Sequence, residues 1–146
     1  VAYATTQDLE NAAGGAERLR QLADWDADGI ADSTVLDDFV GKASRWVDGF
    51  ARAHHSVPFV DPVPTEIVDL VAAEVVYMLR KARQGRVEDE DREDHVERLE
   101  WLKMLARGQV RIVLEAEKPA QAAGAETGEL ASSTGTYDSD DYGGLW

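Results

Sequence analysis

The sequence predicts an all-α protein: a small helical bundle of two short N-terminal helices and three longer ones, with a short extended segment and an extended C-terminal tail. Three observations predict it. Apolar residues recur at three- and four-residue steps from Val35 to Phe50. The helical stretches are punctuated by Gly14-Gly15, a proline-rich connection, Gly85 and Gly108. Weak alternation with β-branched enrichment marks "QVRIVLEAE", residues 109–117, as a short strand or extended arm.

The elements follow in order. Thr5 or Thr6 can cap a first helix through "TTQDLENAA", and Gly14-Gly15 breaks it before a second short segment from Ala16 to Leu22. An aspartate-rich loop separates this pair from a long amphipathic helix. Val35, Leu36, Phe39, Val40, Ala43, Trp46, Val47 and Phe50 form its apolar face as far as about His54, and Asp38 precedes Lys42 by one turn in the favourable order. Pro58, Pro62 and Pro64 then forbid a helix and stiffen the connection. "TEIVDLVAAEVVYMLRKAR" is apolar on most of its circumference, which predicts the central, most buried helix; Arg80, Lys81 and Arg83 suit its C-terminal dipole. After Gly85, "VEDEDREDHVERLEWLKMLARG" reads as the last long helix. Its acids stand at the start, Val96, Leu99, Leu102 and Leu105 are expected as its buried stripe, and Gly108 is its stop. Residues 1–115 are the expected helical domain. From Lys118 the composition turns to Ala, Gly, Ser and Thr, so residues 116–146 are read as a flexible acidic tail. Its end places Tyr137, Tyr142, Leu145 and Trp146 among acids, the composition of a partner-binding peptide.

Fifteen Lys and Arg stand against 29 Asp and Glu, a formal net charge of -14, which disfavours binding to nucleic acid or anionic membrane. No apolar run approaches a bilayer-spanning length. With Cys absent, disulfides, thiolate metal sites and a cysteine nucleophile are excluded. The start "VAYATTQDLE" has no secretory pattern, so a product made in the cytoplasm is expected.

The loop "DWDADGIAD" opens like an EF-hand. Asp24, Asp26 and Asp28 fill the first, third and fifth ligand positions, Gly29 makes the turn, Ile30 offers a carbonyl, and Asp32 follows. The twelfth position, where a bidentate Glu belongs, is Val35. Two readings stay open. In one, Asp32 or Ser33 caps the next helix, Thr34 and Asp37 imitate a capping box, and the other aspartates bond their own backbone. In the other, the crowded carboxylates hold a structural calcium ion, because acids this close repel unless neutralised. The missing ligand argues against a calcium sensor. His54-His55 invites a zinc reading, but adjacent side chains on a helix diverge, and a helix C-terminus favours histidine without any metal. His95, in an acidic helix, is expected to be solvated. No phosphate loop, nucleophile elbow or H-E-x-x-H occurs, so no enzyme and no cofactor are expected.

Several segments in succession carry a resemblance: "AYATTQDLE", "RLRQLADWDADGIAD" leading into a long helix, "VDGFARAHHSVPF", "VPTEIVDLVAAEVVYML" and "ERLEWLKMLARGQVRI". Together, over roughly residues 1–115, they resemble the small neck proteins of Mu-like tailed phages and prophages, the head-completion or head-to-tail adaptor family. Phe50 stands where that family often has Tyr, and "AHHSVP" replaces its more usual Arg-Tyr pair. The resemblance implies a structural virion protein whose residues 1–115 are a helical adaptor domain, forming a homo-oligomeric ring of about twelve copies beneath the portal protein. It further implies contact with the tail or a stopper protein, DNA passing through the lumen without sequence-specific binding, and no membrane. The place implied is the virion neck, after synthesis in the host bacterial cytoplasm. On this reading the tail orders on assembly. The competing functions are a calcium-binding interaction module built on Asp24 to Asp32 and a metal-dependent hydrolase using His54 and His55.

Overall fold

Caps and turns set the helix boundaries in the computed structural model, which describes residues 2–112. Thr5 accepts the Asp8 amide on its side chain while the Asp8 carboxylate accepts the Thr5 amide, a reciprocal capping box that starts α1 (Thr6–Ala13). Gly14 ends it in the left-handed region (φ 93°), a conformation that lets the chain turn at once into α2 (Ala16–Ala23). Three longer helices follow: α3 (Ser33–Ala51), α4 (Thr65–Gln84) and α5 (Asp89–Ala106). There is no strand among the described residues. Residues 109–112 of the expected extended segment form no strand; the remainder of that segment, and the tail with Tyr137, Tyr142, Leu145 and Trp146, lie outside the described residues.

Helix α4 is the centre, as its nearly all-round apolar sequence requires. It packs on α1, α2, α3 and α5, and buries Ile67, Leu70, Val71, Val75, Val76 and Leu79. Leu9 of α1, Leu19 and Leu22 of α2, Leu36, Val40 and Val47 of α3, and Leu102 and Leu105 of α5 complete the core. The ion pair between Asp38 and Lys42 forms on the solvent face of α3 at 3.2 Å, where water leaves it little energetic weight.

The proline-rich connection is tied to the N-terminal segment through Tyr3. The Tyr3 hydroxyl donates to Asp48 Oδ1 (2.6 Å) and accepts the Phe59 amide (2.9 Å), the Tyr3 amide donates to Ser44 Oγ, and the Tyr3 and Phe59 rings meet edge to face. Burial first, and then the hydrogen bond to Asp48, push the Tyr3 phenol up to about 12.

The stripe expected along α5 is only half present. Leu102 and Leu105 are fully buried, Leu99 is half-buried, and Val96 is 49% exposed. The N-terminal half of α5 is attached instead through polar and aromatic groups, described below. Beyond α5, Gly108 has φ 77°, a conformation that favours glycine, and a Cβ there would sit 3.0 Å from His54 Nε2, so the exposed His54 ring would have to shift. The chain then brings Ile112, 1% exposed, against His55.

Candidate functional site

The residues between α2 and α3 fold into a compact acidic loop. Carboxylate oxygens of Asp24, Asp26, Asp28 and Asp32 all lie within 4.8 Å of one another. Each is already engaged with backbone. Asp24 accepts the Asp28 and Gly29 amides (3.1 and 2.9 Å), Asp26 accepts the Asp28 amide, Asp28 accepts the Ile30 amide, and Asp32 accepts the Trp25 amide. Ala27 and Gly29 take positive φ to make the turn. Asp32 is the N-cap of α3 by position, yet its side chain makes no capping bond, because it is turned back to Trp25; the expected imitation of a capping box does not form. Ile30, whose carbonyl was the remaining candidate ligand, is 66% exposed.

The electrostatics of the four acids differ. Burial pushes Asp24 up, but the Gly29 and Asp28 amides together with the neighbouring Asp26 and Asp28 side chains outweigh it and hold it below its ordinary value. Arg20 also reaches Asp24, with Nη1 3.3 Å from Oδ2. Asp26 is raised, by burial and then by the charges of Asp28 and Asp32 against the lowering effect of the Asp28 amide. A hard divalent cation is the chemistry such oxygens suit, and it would act where Asp26, Asp28 and Asp32 repel. Val35, at the twelfth position of the loop, is half-buried on the core side of α3 and supplies no oxygen.

The histidines separate. His54 is exposed and packs against Gly108, whereas His55 Nε2 lies 3.3 Å from both the carbonyl and the amide of Ile112. Among the described residues the buried His55 Nδ1 has no partner, and the tautomer decides whether Nε2 donates to the Ile112 carbonyl or accepts the Ile112 amide. These two rings are not brought together as a metal pair.

His95 departs from the expectation of a solvated side chain. Its ring is stacked on Tyr77 (centroids 4.5 Å apart) and on Trp46 (5.8 Å), and Nδ1 lies 2.9 Å from Oε1 of Glu74. Glu74 is 4% exposed, and the same oxygen accepts Arg98 Nε at 3.1 Å. One turn outward, Arg80 pairs with Asp91 at 3.0 Å. This cluster is the attachment of the N-terminal half of α5. The sequence offered one signal for it, a glutamate amid Val71, Ala72, Val75 and Val76 of the most apolar helix, but no spacing rule joins Glu74 to His95.

Residues 3–129 match the family profile described as Bacteriophage Mu, Gp36. The chain belongs to that family. Membership in the Gp36 family covers most of the sequence and makes this a protein of Mu-like phages. No curated protein matches the chain. Among the described residues of this Gp36 family member, no helix is long and apolar enough to cross a membrane.

Proposed function

We propose that this protein is a structural component of the virion neck, a head-to-tail adaptor that assembles as a ring and joins the portal to the tail or to the next neck protein. The observation that carries the reading is the family match over residues 3–129, with the order of segments that resembles phage neck proteins. The disposition of the chemically capable groups is consistent with a non-catalytic role. Glu74 and His95 hold α5, His55 holds Ile112, and the aspartates hold their own loop. The acidic body suits a ring through which DNA slides without being bound. Tyr137, Tyr142, Leu145 and Trp146 are assigned as anchors on a neighbouring neck component.

A conditional mutant of the phage that encodes this chain tests the proposal. Loss of the protein yields DNA-filled heads and free tails that do not join, and adding purified protein restores joined particles. Normal joining in its absence would refute the adaptor role.

A second reading is favoured by the carboxylates within 4.8 Å of one another: a structural calcium ion in the Asp24–Asp32 loop, making the domain a calcium-stabilised interaction module. Calorimetric titration decides it. Micromolar calcium affinity with a rise in melting temperature supports the module, and no heat at millimolar calcium removes it.

A further inference from the structure

The outward faces of α3 and α5 match each other in charge, spacing and shape. On α3, Lys42, Arg45, Gly49 and Arg52 share the solvent face at steps of three, four and three residues. On α5, Asp89, Glu93, Val96 and Glu100 share the solvent face at steps of four, three and four. Each stripe covers about three turns, roughly 15 Å. At the third place of each stripe the shapes are opposite: Val96 projects with 49% exposure, while a Cβ built on Gly49 would meet nothing within 4 Å.

We propose that a second copy of this chain occupies these faces, the basic stripe of α3 on one copy packing parallel to the acidic stripe of α5 on the next. Val96 sits over Gly49, where the missing side chain lets the two helices approach. Arg45 then faces Glu93, Arg52 faces Glu100, and Lys42 faces Asp89. The opposite orientation keeps two Arg-to-Glu contacts but sets Lys42 against Lys103. Among the described residues, Arg45 and Glu93 have no ion-pair partner within the chain, so their meeting breaks no existing bond. The other four are held in exposed pairs, a ring contact or a backbone contact of small energetic weight: Lys42 with Asp38 and over the Phe39 ring, Asp89 with Arg92, Glu100 with Lys103, and Arg52 with the Asp48 carbonyl.

Where a copy meets one neighbour through α3 and another through α5, the contact is heterologous and passes from copy to copy, closing into a ring where the rotation allows. The inference rests on the ring reading above and names the residues that build it.

The test uses the full chain in two charge-reversed forms, R45E/R52E and E93R/E100R, compared by sedimentation velocity over a concentration series. Each variant alone weakens self-association at least about tenfold, and an equimolar mixture restores it, because reversed faces again meet opposite charges. A third variant, Gly49→Ala, guards against a folding artefact: it raises the melting temperature of the helix that carries it, yet weakens association by filling the gap under Val96. A wild-type chain that stays monomeric at every concentration, or reversals that leave association unchanged, or a mixture that fails to restore it, each overturns the interface. Joining of heads and tails in the conditional-mutant assay is scored separately, so an incorrect interface and an incorrect adaptor role give different results.

Discussion

Asp24 and Asp26 stand two residues apart in one loop and couple to folding in opposite senses. Asp24 is held below its ordinary value by the Gly29 and Asp28 amides against the opposing effect of burial, so its contribution is present above the usual carboxylate range and is lost as pH falls through its lowered folded value. Asp26 is raised, by burial and then by Asp28 and Asp32. Its contribution is therefore complete only below its ordinary value and is lost as pH rises through the raised one. At neutral pH without divalent metal, Asp26→Asn is expected to raise the melting temperature and Asp24→Asn to lower it, read by scanning calorimetry; shifts of the same sign would contradict this assignment. Tyr3 gives a second residue-scale expectation. Tyr3→Phe strands the buried Phe59 amide and removes the bond to Asp48, a loss of about 1–2 kcal/mol in urea melts. The phenol is raised in the folded state, so wild-type stability is intact below the ordinary tyrosine value of about 10 and falls as pH rises towards about 12. The Tyr3→Phe variant lacks that component of the alkaline loss, which paired melts across this window measure.

Helix α5 is two elements in energetic terms. Its C-terminal half is buried through Leu102 and Leu105, and its N-terminal half is held by Glu74, His95, Arg98 and the Arg80–Asp91 pair. Polar attachments gain little net energy over water, so this half is the part of the bundle that opens most easily. Native-state hydrogen exchange is expected to show amides of residues 93–98 exchanging faster than those of residues 102–106; equal protection would argue against a divided helix. Glu74→Ala leaves His95 and Arg98 without their shared acceptor and costs about 2 kcal/mol, whereas replacing all three with apolar residues of similar volume costs far less. The same helix shows where sequence reading stops. The positions of all five helices were legible, because Gly14, Pro64, Gly85 and Gly108 act within a few residues of themselves, period-3.6 patterning marked α3, and apolarity on most of its circumference marked α4. Val96 falls on the apolar period of α5 but faces solvent, and it is the adjacent His95 that packs inward, stacked on Tyr77 and Trp46. That stack joins residues from α3, α4 and α5, and nothing local encodes it. The aspartate loop was legible as a turn made by its own backbone bonds, whereas the turning of Asp32 to Trp25 depends on how the loop closes and could not be read from a capping pattern.

At the scale of the whole molecule, a formal net charge of -14 on 146 residues is a diffuse repulsion that folding must oppose. Sodium chloride is expected to raise the melting temperature between about 10 and 150 mM, as the Debye length falls from about 30 to about 8 Å. Calcium at equal ionic strength separates screening from a specific ion: an additional rise with calcium alone marks occupancy of the aspartate loop. The fold also fixes where load enters the domain. Ile112 is fully buried, and both of its backbone polar groups lie against the ring of His55, next to the end of α3. A pull on the chain beyond this point meets that seat before it reaches α5. Tension is thereby handed to α3 and, through the core, to α4, so the bundle resists as a block and its weakest-held helix is shielded from being peeled away.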